Sequence, residues 1–233
     1  MSRCENYIRH YSLDAEHFDY FTNEDRTDRA YEKLFRKFIV RLAGGAGRTL
    51  DIGSGSGWIS VVPHENLYYV DLSLRNLQSL KTDTSSPVLA DAVHLPFKDE
   101  SMNLIVASEI MEHLNSPDAA AREILRVMKP DGKAVVSTPY REKIRYTLCI
   151  HCNQPTPLNA HLTSFDKGGL VSLFPGCNVK AYIFGSKVMT LLRAAVLFEN
   201  LPLWIWRLVN YPLIKLVDKA QHIVLELRKT SQS

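Results

Sequence analysis

Asp51 ends a short apolar run and is followed by glycines at 53, 55 and 57 in TLDIGSGSGWIS, residues 49–60. A glycine loop after a strand lets the backbone come close to a ligand. The dinucleotide fingerprint G-x-G-x-x-G would need its third glycine where Trp58 stands. A carboxylate at Asp51 would repel a pyrophosphate in that loop and favour a ligand with an ammonium or sulfonium group. Twenty residues later YYVDLS ends a second apolar run on Asp71, followed by Leu72. A carboxylate at that strand end can accept both hydroxyls of a ribose. In LADAVHLPF, Asp91 can accept an adenine amino proton, with Ala92 at the ring edge and Leu95 or Phe97 lining it. Cation, ribose and adenine together describe S-adenosylmethionine.

A second group lies in SEIMEHL, residues 108–114. Glu109, Glu112 and His113 stand at i, i+3 and i+4, one face of a helical turn. Such a face can hold a divalent ion against a catechol or a ribose diol. His113 suits a general base, because an imidazole titrates near neutral pH. In the plainer alternative, Glu112 and His113 brace the loop while Glu109 faces a pocket. Tyr140, in STPY, is a further pocket candidate or a packing residue.

A third group is CIHCNQPTPLNAHLTSF, with Cys149, Cys152 and His161 close together and Cys177 later. A C-x-x-C pair is a half-site for zinc. Cys177 or His151 would supply the fourth ligand. Buried thiols, a redox pair, or His161 turned toward an acceptor pocket are the other readings.

These residues need a scaffold. The chain has 233 residues, 45% apolar and 23% charged, with net charge +3, enough for one domain with a full core. The basic residues are dispersed and no RNA-binding module is visible, so nucleic acid is not an expected partner. There is no apolar run of the ~18 residues a membrane span needs, and no signal peptide, so a cytoplasmic protein with reduced or metal-bound cysteines is expected.

Residues 24–42 carry apolar side chains at helical spacing, and GGAG at 44–47 stops that helix. Short apolar runs then alternate with helical stretches: 49–52, 67–71, 88–90, 102–107 and 133–137 as strands, 72–81 and 118–128 as helices. Strand–helix repetition predicts a parallel sheet with helices on both faces, binding its ligand at the carboxyl ends of the strands. Residues 178–184 and 220–229 read as two further strands. Residues 187–219, rich in Leu and Trp and broken by Pro202 and Pro212, read as a helical insertion. Over 188–217, Arg193, Arg207 and Lys215 interrupt the apolar residues. Packing on the domain or a dimer contact is the preferred reading. A lid touching a membrane surface, with Trp204 and Trp206 at the interface, or covering a lipid-like acceptor, is the other.

The stretches LDIGSGSG, VDLS, ADAVHLPFKDESMNLIVASEIMEHL, ILRVMKPDGKAVVSTP and HIVLELRK resemble the class I S-adenosylmethionine-dependent methyltransferases, specifically the type-11 group. The resemblance implies a Rossmann-like, doubly wound α/β fold. Its seven-stranded sheet is mostly parallel with an antiparallel last strand. It implies that Gly53, Ser54 and Gly55 approach the methionine part, with Ser108 beside it, that Asp71 and Leu72 hold the ribose, and that Asp91 and Ala92 meet the adenine. The expected organisation is a cap over 1–47, a cofactor core over 48–140, a Cys/His insert over 141–177, a lid over 186–219 and a last strand over 220–229. Tyr11, Tyr20 and Phe21 would cover the cofactor. The span from 57 to 67 leaves room for only a single helical turn.

The expected activity is methyl transfer to an oxygen or nitrogen of a small or lipid-like acceptor, with Glu109 and His113 as catalytic candidates, in a monomer or homodimer. The alternative is a non-catalytic adenosyl-ligand-binding or scaffold protein that uses the insert and lid as interaction surfaces.

Overall fold

Seven strands form one sheet in a computed structural model that describes residues 25–45, 47–148, 155–217 and 219–230. Helix α1 (Arg26–Ala43) leads into it. Asp25 caps that helix by accepting from the Thr27 amide at 2.7 Å, as a short acidic N-cap side chain should. Its apolar stripe, Leu34, Phe35, Phe38 and Ile39, is buried.

Strands β1 (Arg48–Ile52), β2 (Asn66–Asp71), β3 (Ser85–Leu89), β4 (Met102–Ser108) and β5 (Met128–Pro139) pair in parallel. Leu104 to Ala107 are at most 1% exposed, because helices on both faces bury parallel strands on both sides. The predicted single turn after the glycine loop is a 3-10 turn over Trp58–Val61. Helix α2 (Leu74–Gln78) follows β2 and α3 (Pro117–Val127) precedes β5.

A hairpin of β6 (Tyr146–Leu148) and β7 (Pro155–Pro157), then helix α4 (Lys167–Ser172), lead to β8 (Cys177–Ser186) and β9 (Ala220–Lys229). Strand β9 inserts antiparallel between β5 and β8, giving the order β3-β2-β1-β4-β5-β9-β8. The order reverses at β1, which lies between β2 and β4. A crevice therefore opens at the carboxyl ends of those strands.

Between β8 and β9 stand α5 (Lys187–Leu191), α6 (Ala195–Phe198) and α7 (Leu203–Val217). Trp206 is 1% exposed and packs edge-on against Tyr31 and Phe198. Trp206 thus packs on the domain and does not stand at an interface, the other reading of this segment, while Trp204, two positions earlier on α7, stays 60% exposed. No residue of this insertion lines the main cleft among the described residues.

Candidate functional site

A cleft of about 1000 Å³ opens at the carboxyl ends of β1, β2 and β4, at the upper end of ligand-pocket sizes. The glycine loop forms one wall. Gly53 sits at φ 70°, where any side chain strains the backbone, and a Cβ there would come within 2.8 Å of Ile110 Cδ1, which would have to move. The amides of Gly53 and Ser54 both donate to the Val70 carbonyl, fixing the loop on β2.

Asp71, at the end of β2, accepts from the Gly55 amide at 2.9 Å and the Ser73 amide at 2.8 Å. Each carboxylate oxygen has two acceptor sites, so the group facing the cleft keeps capacity for a ligand hydroxyl. Gly53, Ser54, Gly55, Asp71, Leu72, Asp91, Ala92 and Ser108 all line the cleft. Asp51 does not. It is 3% exposed, beneath the loop, and its Oδ2 has no hydrogen-bond partner. Burial, with the Asp71 charge adding to it, pushes the Asp51 carboxyl up to about 8.

Leu95 is buried in the core and Phe97 packs edge-on against Tyr68, so neither lines the cleft. Arg126 holds this loop. It donates to the carbonyls of Leu95 and Phe97 and to Asp99, and pairs with Glu123. Tyr140 is 8% exposed and bridges to Phe165, a packing role.

Glu109, Glu112 and His113 do not share a helical face. Only Met111–His113 forms a turn, of 3-10 type, and Glu109 precedes it at φ 56°. Glu109 therefore turns toward the last strand. Its Oε2 lies 3.2 Å from His222 Nε2 and its Oε1 accepts from the Ser137 hydroxyl at 2.8 Å. His222 Nδ1 meets the Tyr31 hydroxyl at 2.8 Å. Burial opposes ionisation of Glu109, but the charge and hydrogen bond of His222, with Ser137, outweigh it and hold the carboxyl below its usual range. Burial and the Glu109 charge push the Tyr31 hydroxyl well above its ordinary range. Tyr31, Gln221 and His222 line the cleft, yet nothing in the sequence marks them as pocket residues, although HIVLELRK begins at His222. Tyr31 reads as one apolar position of α1 and His222 as one residue of a strand.

His113 turns the other way, toward His161, with ring centroids 4.7 Å apart. Burial, with His161 adding to it, pushes His113 down to about 4. That corrects the expectation of a base titrating near neutral pH. Glu112 is 1% exposed, and burial, then the Glu109 charge, push its carboxyl well above the usual range. Segment 158–163 wraps over this turn: the Leu162 and Thr163 amides donate to the Glu112 carbonyl. Asn159 and Ala160 within it stand at φ 61° and 54°, a strained pair of the kind that gathers at functional sites.

Cys177 stands apart from His161, with which the zinc reading joined it. Cys177 pairs with Lys229, seven residues along β8 from Phe184, which pairs with His222 beside the cleft. At antiparallel rise that is about 24 Å, so Cys177 and His161 cannot bind one ion. Cys149, His151 and Cys152 lie outside the described residues, as do Tyr11, Tyr20 and Phe21.

Residues 50–136 match the family model described as "Methyltransferase domain". Methyltransferase GfsG of Streptomyces halstedii is 29% identical over 146 residues, 56% of this chain and 52% of that protein. The chain thus spans about half the length of the curated relatives it matches. The [4+2]-cyclase SpnF superposes with a TM-score of 0.63 at 15% identity, over 96% of this chain and 93% of that one. Phosphoethanolamine N-methyltransferase 2 of Haemonchus contortus, in complex with S-adenosyl-L-methionine, superposes at 0.60 with 16% identity, over 96% of this chain and 60% of that one.

Proposed function

We propose that this chain, whose residues 50–136 match the methyltransferase-domain model, is a class I S-adenosylmethionine-dependent methyltransferase that transfers the methyl group of that cofactor to an oxygen or nitrogen of a small or lipid-like acceptor. The observation that carries the reading is Asp71 at the carboxyl end of β2. It is tied to the Gly55 amide, so the glycine loop and the ribose-binding acid form one unit. In this reading Gly53, Ser54, Gly55 and Ser108 take the methionine part, Asp71 and Leu72 the ribose, and Asp91 and Ala92 the adenine. Asp51 lies below as the counter-charge to the ligand's ammonium group.

The acceptor heteroatom attacks the methyl carbon in line. The new bond forms as the carbon–sulfur bond breaks, and its electron pair returns to sulfur as a neutral thioether. Positive charge moves from sulfur to the acceptor, which must then lose a proton. Glu109 is the ionised group at that end of the cleft, so it stabilises the developing charge and receives the proton. His222 and Ser137 fix its orientation, and positioning supplies much of the remaining rate.

The helical insertion supports a membrane-surface encounter with a lipid-like acceptor. Leu191, Leu197, Trp204, Leu208 and Leu216 are 60–84% exposed. Residues 187–219 carry five basic side chains and two acidic ones, a balance that suits an anionic surface. No described helix is long and apolar enough to cross a membrane.

Isothermal titration with S-adenosylmethionine and S-adenosylhomocysteine, on wild type and Asp71→Ala, tests the core of this reading. Micromolar binding that the variant loses is the expected result. No binding by folded wild type overturns the reading. Binding without turnover on any hydroxylated or amine acceptor favours an adenosyl-binding scaffold instead.

A further inference from the structure

A second hollow, of about 250 Å³, opens beside the main cleft and shares Leu158 and Asn159 with it. Lys143, Arg145 and Lys187 line it, with Glu142 as its one acid. The cations come from separate parts of the chain. Lys143 and Arg145 follow β5, whereas Lys187 opens α5 just after β8. Sheet register brings them to the same edge. Ser186, at the end of β8, stands opposite Ala220, two positions from His222, which stands opposite Pro139 at the end of β5. The Arg145 carbonyl accepts from the Leu158 amide at 2.8 Å, and the Lys187 amide donates to the Lys219 carbonyl at 3.1 Å. The backbone therefore fixes Arg145 and Lys187, while all three cationic side chains stay exposed.

Among the described residues none of these three side chains pairs with an acid. Glu142 is engaged by His161 Nδ1 instead. A hollow lined by one sign of charge concentrates counter-ions. Three cations against one acid leave two positive charges in excess. A carboxylate would neutralise one of them, whereas a phosphomonoester carries roughly two negative charges near neutral pH. The Arg145 guanidinium can meet two phosphate oxygens at once, and the two ammonium groups add point charges.

We propose that this hollow holds a phosphate group of the acceptor while the acceptor's nucleophile reaches Glu109 in the main cleft. Leu158 and Asn159 border both spaces, and Asn159 keeps its left-handed backbone at φ 61° there. A molecule lying over this turn presents its phosphate to Arg145 and its other end to the cofactor. The acceptor is then a phosphomonoester that carries its nucleophile away from the phosphate. That substrate class rests on the methyltransferase reading, whereas phosphate binding itself does not.

The test is binding of inorganic phosphate to the full chain, followed by phosphorus nuclear magnetic resonance at low ionic strength, because salt screens exposed charges. One saturable site is expected, weakened at least fivefold in Arg145→Gln and in Lys187→Gln, with acetate competing at least tenfold less well. Both positions are exposed, so the variants keep the fold. No saturable uptake by wild type overturns the proposal. Uptake unchanged in both variants, or acetate competing as well as phosphate, overturns it too. Two further arms identify where the phosphate comes from. Competition by glycerol phosphate, with vesicle association equal in wild type and Arg145→Gln, assigns a soluble acceptor. Association with phosphatidic acid vesicles that Arg145→Gln weakens assigns a lipid headgroup. S-adenosylmethionine affinity on the same samples separates the two readings. Phosphate bound without any cofactor binding leaves the anion site standing and removes the methyltransferase reading. Cofactor bound without phosphate uptake removes the anion site alone.

Discussion

Glu109 Oε2 and His222 Nε2 stand 3.2 Å apart across a strand that contains neither. Glu109 follows β4, His222 lies on β9, and β5 runs between them and contributes Ser137 to the same carboxylate. The antiparallel insertion of β9 is what delivers His222 to the carboxyl ends of the parallel strands. The same register sets Thr138 opposite Ile223 and Pro139 opposite His222. A sheet with a parallel last strand would bring a different residue to this place.

Glu109→Gln keeps the shape and removes the charge. We expect kcat to fall by on the order of 10²-fold or more, the usual scale for a positioned proton acceptor, with cofactor affinity within threefold of wild type. His222→Ala should lower kcat less, since it leaves Glu109 ionisable but free to turn. Steady-state kinetics alongside calorimetry checks both. A Glu109→Gln enzyme within twofold of wild-type kcat would remove Glu109 from the chemistry.

Asp51 makes stability depend on pH. Its folded carboxyl is raised to about 8 from an ordinary 3.8. Between those values the folded chain holds a proton that the unfolded chain has released. Stability therefore falls as pH rises through that window, by up to about 1.4 kcal/mol per pH unit. Asp51→Asn should flatten the slope and leave the ligand-free protein more stable at pH 8. Urea unfolding at pH 5 to 8 measures this, and equal slopes in the two proteins would refute it. A cation above Asp51 favours the ionised form, so wild-type cofactor affinity should also rise from pH 6.0 to 7.5, and the variant should lose that rise.

Much of this was legible in the sequence, and the exceptions share a cause. The strands at 49–52 and 67–71 sit within one residue of their observed bounds, because apolar runs closed by Asp and Gly mark both ends. Asp71 and Asp91, which line the cleft, are readable for the same reason: each falls at or just past a strand end. Glu109 is readable as a polar group just past β4, but its partner is not, since His222 reaches it only through sheet order. The i, i+3, i+4 spacing misled, because the segment makes a single 3-10 turn with Glu109 outside it. His161 reads either as a ligand beside the cysteines or as a residue turned toward the acceptor pocket, and the structure puts it on the cleft beside His113. The hairpin β6–β7 and helix α4 are too short to leave a periodic signal.

Arg126 ties helix α3 to the loop that carries Asp91. Its guanidinium reaches the Leu95 and Phe97 carbonyls and Asp99, while Glu123 accepts from the Leu95 amide at 2.7 Å. Arg126→Ala takes that donor away from the half-buried Leu95 and Phe97 carbonyls. We expect a loss of about 2 kcal/mol in stability and weaker binding of adenosine-containing ligands, with Arg126→Lys restoring only part of either. Denaturant midpoints and calorimetry check this. A variant as stable as wild type would show that water replaces the guanidinium without cost.

The exposed face of the helical insertion allows a test that leaves the fold intact. Leu208 is 67% and Leu216 82% exposed, so replacing either with Asp disturbs little packing. If that face enters the headgroup region, each leucine contributes about 2 kcal/mol when buried there, roughly thirtyfold in partitioning. Wild type should sediment with vesicles containing anionic lipid and weakly with neutral ones, and Leu208→Asp and Leu216→Asp should each lose most of that binding. Trp204 reports the same event. It is 60% exposed whereas Trp206 is buried, so vesicles should shift tryptophan emission to the blue in wild type and not in Trp204→Phe. Equal sedimentation of wild type and both aspartate variants would remove the membrane from the account of how the acceptor arrives.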